Sequence, residues 1–224
     1  LGFFRNFVII VRIMIVTYYG KQFFKVQLGD TVLAFNPISK DSKLKAARFG
    51  ADVVLTSLDH PDFNGVESVT YGEKTPFVIS GPGEYEIKGI FVKGFLAESS
   101  YQKEHKMNTI YLVSLDGMNL CFLGALQEGK LDDKTKEALD DIDILFVPIG
   151  GEDVLAPEQA HKLATQLAPH VVIPMDYGEG SEKNALAQFL KEVGVDKAVP
   201  LDKLTLKKKD LEDKEGEIVV LKAQ

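Results

Sequence analysis

Short runs of β-branched and aromatic residues, cut by turn residues at close intervals, most constrain what this chain can fold into. Asp52–Thr56 (DVVLT), Ile142–Pro148 (IDILFVP), Val171–Pro174 (VVIP) and Glu217–Leu221 (EIVVL) are nearly continuous apolar runs. Runs this short and this β-branched read as buried strands. Gln22–Leu28 and Thr31–Phe35 flank Gly29-Asp30, and Asp116-Gly117 separates Thr109–Leu115 from Asn119–Leu123. Both pairs carry the hairpin-turn signal. Further strands are expected over Val66–Tyr71, Phe77–Ser80, Tyr85–Ile87 and Ile90–Phe95.

Helical signals are fewer. Lys43–Phe49 is expected as a short helix with Gly50 just past its end, and Lys134–Leu139 as another. Pro157 suits a first helical turn, and Ala160, Leu163, Ala164 and Leu167 then repeat on one face. Ser181 is expected to cap a last helix bearing Leu186, Phe189, Leu190 and Val193, with Gly194 beyond its end. The charge-rich stretch from Lys207 to Glu215 reads as a solvated loop. Antiparallel strands first and strand–helix alternation later imply mixed sheets covered by helices.

The apolar run Phe7–Val16 is about half the ~20 residues that a membrane-spanning helix needs, and Arg12 interrupts it. It reads as a strand reaching to about Tyr19, with an N-terminal extension over 1–13 and a single domain over 14–224. The chain has 224 residues, a formal charge of -7, one Cys and four His. A single Cys excludes an internal disulfide and a Cys-based zinc knuckle. The negative balance argues against nucleic-acid binding by bulk charge. A cytoplasmic protein without a membrane partner is expected.

The chemistry concentrates after DVVLT, in Ser57-Leu58-Asp59-His60-Pro61-Asp62-Phe63-Asn64. A polar loop at a strand's C-terminal end is where α/β folds place their sites. His60 and Asp62, two apart, share one side of an extended loop and suit zinc, manganese or iron. Taken alone, such a pair is more often a hydrogen-bonded loop feature. Cys121, inside NLCFLG, reads as a buried inert thiol. The acidic Glu152-Asp153 pair after Gly150-Gly151 precedes the Pro157 helix, where negative charge is favourable, and also suits a site mouth.

VVLTSLDHPDFNG resembles the metal-binding loop of the metallo-β-lactamase superfamily, in which His-x-His-x-Asp-His follows a strand. Ile15–Gly20 with Phe23–Val26, the Gly81–Glu86 turn (GPGEYE), Asn108–Tyr111, Phe122–Gly124 and Val172–Tyr177 (VIPMDY) are similar to successive segments of its UlaG-like branch of candidate zinc-dependent hydrolases. These segments follow in consistent order over about residues 14–221. The resemblance implies a four-layer αββα sandwich, two mixed β-sheets face to face with helices outside.

The departures from that pattern carry equal weight. His60 and Asp62 fall on the second His and the Asp of the loop, while Leu58 and Phe63 stand at the first and last His positions. Ser99 or a near neighbour lies where a later His is expected, Ala125 replaces a ligand Asp, and Asp176 replaces the terminal His. Asn36 precedes Pro37 where Asp is usual, and Lys21 follows Gly20 where His is frequent. A catalytic zinc takes about three protein ligands and an open position. Only His60, Asp62 and Asp176 remain as candidate metal ligands. His105, His161 and His170 lie elsewhere in the pattern and read as surface residues.

Two functions stay open on these residues. One is a hydrolase-like scaffold whose metal site has degenerated, kept for binding a small molecule or protein, or for structure. The other is a hydrolase with one weakly bound divalent metal, zinc, manganese or iron, activating water. Homo-oligomerisation is compatible with either.

Overall fold

A computed structural model describes residues 12–73, 75–178 and 181–224. Residues 1–11, which include most of the Phe7–Val16 run, lie outside the described residues. Two mixed sheets stack face to face. The first contains β1 (Met14–Tyr18), β2 (Phe24–Leu28), β3 (Thr31–Phe35), β4 (Val53–Leu55), β5 (Phe77–Ile79) and β12 (Leu204–Leu206), in the order β12-β1-β2-β3-β4-β5. The second contains β6 (Gly83–Ile87), β7 (Ile90–Ser99), β8 (Lys106–Leu115), β9 (Met118–Phe122), β10 (Ile144–Pro148), β11 (Val171–Met175) and β13 (Glu217–Ile218), in the order β13-β11-β10-β9-β8-β7-β6. Within the second sheet, β9, β10, β11 and β13 run parallel, and β6 to β9 form an antiparallel meander.

The alternation of strand residues explains this stacking. β1 and β2 bury every second side chain, as strands do when one face meets a partner sheet. Inward residues of the first sheet join those of β9 and β10: Phe24 of β2 meets Phe146 edge-on at 4.9 Å between ring centres, and Phe35 of β3 stacks on Phe122 at 4.9 Å. The parallel strands β10 and β11 are buried on both faces, which accounts for their lack of polar alternation. Asp116 and Gly117 both take left-handed backbone at the β8–β9 turn, as the sequence signal requires.

The outer layers are unequal. α1 (Asp133–Ala138), α2 (Pro157–Leu167) and α3 (Ala185–Glu192) accompany the second sheet, where Ala160, Leu163 and Phe189 pack onto Leu123, Leu145 and Val147. The first sheet's outer face is instead covered by Ile38, Leu44, Ala46, Ala47, Phe49 and Val69. The helix expected over Lys43–Phe49 is absent. Phe49 stacks on Tyr19 and Phe23 at 5.5 and 5.6 Å. Ser42 accepts the Leu44 amide and donates to Asp62. An isolated helix this short is marginal, and these tertiary contacts hold the segment irregular.

Four other expectations change. Val66–Val69 is a single 3-10 turn rather than a strand, because Ser68 donates to the Ile38 carbonyl and Gly65 lies against the Ile38 backbone. A Cβ on Gly65 would lie 2.2 Å from the Ile38 carbonyl carbon, so only glycine fits there. Ser181 does not cap the last helix, which begins after Asn184; its hydroxyl donates to Asp176. The charged stretch carries a 3-10 turn, Lys208–Leu211, just after β12, and the terminal strand shortens to β13, with Leu221 bridging Leu201. Among the described residues, no helix is long and apolar enough to cross a membrane.

Candidate functional site

The loop after β4 leaves the sheet at Thr56 and turns back at once. The Phe63 and Asn64 amides both donate to the His60 carbonyl, and the Asn64 side chain donates to Asp59. His60 and Asp62 do face one another: Nδ1 lies 3.6 Å from Asp62 Oδ2 and accepts the Asp62 amide at 3.1 Å. Asp62 is nearly buried. Its Oδ1 accepts the Ser42 hydroxyl at 2.5 Å and its Oδ2 the Tyr101 hydroxyl at 2.7 Å. Tyr101 sits in a 3-10 turn (Tyr101–Lys103) joining β7 to β8. Both strands run past their expected ends, to Ser99 and from Lys106, and carry this tip onto the loop.

Asp176 belongs to a second cluster at the end of β11. It is fully buried. Oδ1 meets the Lys21 ammonium at 2.7 Å and accepts the Ser181 hydroxyl at 2.9 Å, and Oδ2 accepts the Gln22 side-chain amide at 2.8 Å. Asn36 extends the chain, donating to Gln22 Oε1 and to the Ser57 hydroxyl and accepting the Ser57 amide. Asn108 accepts the Ala125 amide. No buried side-chain nitrogen or oxygen among the described residues lacks a partner, as interior polar groups require.

Between the clusters lies an apolar plug of Leu58, Phe63, Tyr101, Ala125 and Val154. The Phe63 and Tyr101 rings meet edge-on at 4.9 Å, and the His60 ring meets Tyr101 at 5.0 Å. Lys21 Nζ stands 5.2 Å from the centre of the Tyr101 ring, so this side chain links the two clusters. Among the described residues, no three His, Cys, Asp or Glu side chains group as a metal centre would require. A polar cavity of about 340 Å³ opens beside the plug, lined among others by Lys21, Gly150, Gly151, Asp176, Ser181 and Glu182.

The beta-lactamase superfamily domain pattern matches residues 15–176, well over half of the chain. The chain belongs to that family. It is 26% identical over 199 residues to a UPF0173 metal-dependent hydrolase of Bacillus cereus, covering 73% of this chain and 86% of the relative. A UPF0173 metal-dependent hydrolase of Pyrococcus abyssi is 26% identical over 160 residues, 70% of this chain and 67% of that one. Among solved structures, a candidate zinc-dependent hydrolase of the metallo-β-lactamase superfamily from Thermotoga maritima superposes with a TM-score of 0.73 at 26% identity, over 94% of this chain and all of the other.

Within this β-lactamase superfamily domain, Leu58, Phe63 and Ala125, the replacements noted in the sequence, come together as the plug. Lys21 and Asn36, noted there as departures, prove to be partners in one network. Tyr101, Gln22 and Ser42 gave no sequence signal, since each acts through a residue distant in the chain. The other histidines stand apart: His105 is exposed, and His170 Nδ1 lies 2.7 Å from the Lys214 carbonyl. Cys121 is buried, which pushes its thiol pKa up.

Burial, then the Asp62 hydrogen bond and the Asp62 and Asp176 charges, raises the Tyr101 pKa. Burial also raises Tyr18 and Tyr111, and lifts Tyr177 to about 12. A phenol with a raised folded-state pKa contributes stability that is full below its unfolded value near 10 and is lost as pH rises through the folded value. The family member is therefore expected to unfold in base from about pH 10 upward. Phenolate absorbance at 295 nm from these four rings should rise together with loss of circular dichroism. Their ionisation inside a still-folded protein would contradict this.

Proposed function

We propose that this member of the β-lactamase superfamily domain is a non-hydrolytic scaffold, its metal centre replaced by plug and network, retained for binding in the adjacent cleft. The observation that carries this reading is the commitment of every carboxylate oxygen. Asp62 accepts from Ser42 and Tyr101, and Asp176 accepts from Lys21, Ser181 and Gln22. A metal at either residue has to compete with these donors, and it finds Leu58 and Phe63 on the flank rather than further ligands. The residues present therefore do not fit a catalytic metal, which takes about three converging protein ligands. The cavity beside Lys21 and Asp176 has the size of a small-molecule site and a polar lining. The GPGEYE and VIPMDY segments support placement in the UlaG-like branch.

A competing reading places one zinc, manganese or iron on His60, Asp62 and Asp176. The relatives described as metal-dependent hydrolases favour it. Metal analysis of protein purified without chelator separates the two. The scaffold reading expects far less than one metal per chain and the same melting temperature with and without EDTA. Near-stoichiometric metal that disappears in His60→Ala would establish the competing one.

A further inference from the structure

We infer that the Lys21 ammonium is the site's resident cation, supplying from the chain itself the positive charge that a bound metal ion would bring. This rests on the reading of a metal-free scaffold. Three structural observations converge on it. The Lys21 side chain is only 4% exposed, and its Nζ contacts Asp176 Oδ1, itself in a side chain 1% exposed. The same nitrogen faces the Tyr101 ring, whose hydroxyl is bonded to Asp62, so it lies between the two clusters that hold the candidate ligands. The backbone is also bent to bring the pair together. Lys21 and Asp176 both take left-handed φ, 52° and 61°, a region that residues other than glycine adopt uncommonly.

That bend is held from both sides. The Tyr18 hydroxyl donates to the Lys21 carbonyl at 2.8 Å, and the Asp176 amide donates to the same oxygen at 2.6 Å. Strained backbone of this kind persists where its surroundings over-determine it. A buried carboxylate needs a compensating charge, because a neutral donor shell only partly replaces water. Gln22 and Ser181 are neutral. The ammonium, on a stem packed beside the plug, supplies the charge with no exchangeable ion. It also repels a divalent cation from Asp176.

The test is thermal melting of the full chain and its variants. Lys21→Met keeps the stem's bulk and removes the charge, and should lower Tm by roughly 10 °C. Adding Asp176→Asn to it should recover part of that loss, because the uncompensated carboxylate is then gone. In Lys21→Ala, ethylammonium chloride should raise Tm above the value in sodium chloride or tetramethylammonium chloride at equal ionic strength. If Lys21→Met melts with the parent, or the double variant melts no higher than Lys21→Met, the inference is overturned. A folded Lys21→Ala that ignores ethylammonium overturns it too. Should Lys21→Ala fail to fold, the methionine pair decides. Metal analysis of the unaltered chain separates the two levels. Bound metal defeats the scaffold reading, whereas metal-free protein with a failed Lys21 series defeats only the role of the lysine.

Discussion

Replacing Asp176 by Asn is expected to lower unfolding stability by about 3–5 kcal/mol, the range for breaking a buried ion pair from one side. Asparagine keeps the size, tolerates the left-handed backbone and retains an acceptor, so packing and strain change little. What changes is the charge facing a Lys21 side chain that is almost fully buried. The new amide NH2 also confronts either the ammonium or the Gln22 amide, both donors, so one hydrogen bond is lost in either orientation. Urea denaturation at unchanged m measures the effect as a fall in midpoint. The loss should be the same with and without chelator. A loss below about 1 kcal/mol would place this pair with ordinary surface ion pairs and undo the argument. A loss that chelation reproduces in the unaltered protein would instead make Asp176 a metal ligand.

Phe63→Ala should cost a similar amount, about 3–5 kcal/mol, as buried Phe truncations do. Phe63 is fully buried, and its ring packs against Tyr101 within the plug. Truncation removes that edge-on contact and leaves a cavity beside His60 and Tyr101. Tyr101 anchors Asp62 from the same side, so a shift of its ring propagates to the His60–Asp62 loop. If Phe63 instead bordered an open site, the cavity would be continuous with solvent and the cost would fall well below this range. Equilibrium denaturation of Phe63→Ala decides between a filled interior and an open one. Together the two substitutions probe what holds this region: an internal charge pair and an apolar plug.

The apolar residues that pack beside His60 and Asp62 were legible in part from the chain alone. Leu58, Phe63 and Ala125 could be recognised as apolar replacements because each stands inside a motif whose order is preserved. Gly29-Asp30 and Asp116-Gly117 marked their turns because the backbone conformation they favour is a property of those residues themselves. The apolar runs DVVLT, IDILFVP and VVIP gave their strands for the same kind of reason. Lys43–Phe49 misled, because Leu44 and Ala47 satisfy a helical spacing that Phe49 overrides by stacking on Tyr19 and Phe23. Ser181 misled in the same way, its hydroxyl being engaged by Asp176 rather than by a helix end.

Local spacing thus encoded most of the strands, all three α-helices and the loop bearing His60 and Asp62, but neither β12 nor the 3-10 turn at Val66–Val69. The partner of each buried charge was decided by the tertiary structure. Lys21 and Gln22 precede β2, whereas Asp176 directly follows β11 in the other sheet, and stacking the sheets brings them together. Tyr101 reaches Asp62 only because the β7–β8 hairpin is long enough to overhang the loop. The physical reason is range. Conformational preference and burial period act within a few residues and can be read along the chain, but a hydrogen bond or ion pair between distant residues depends on which sheet faces are brought into contact.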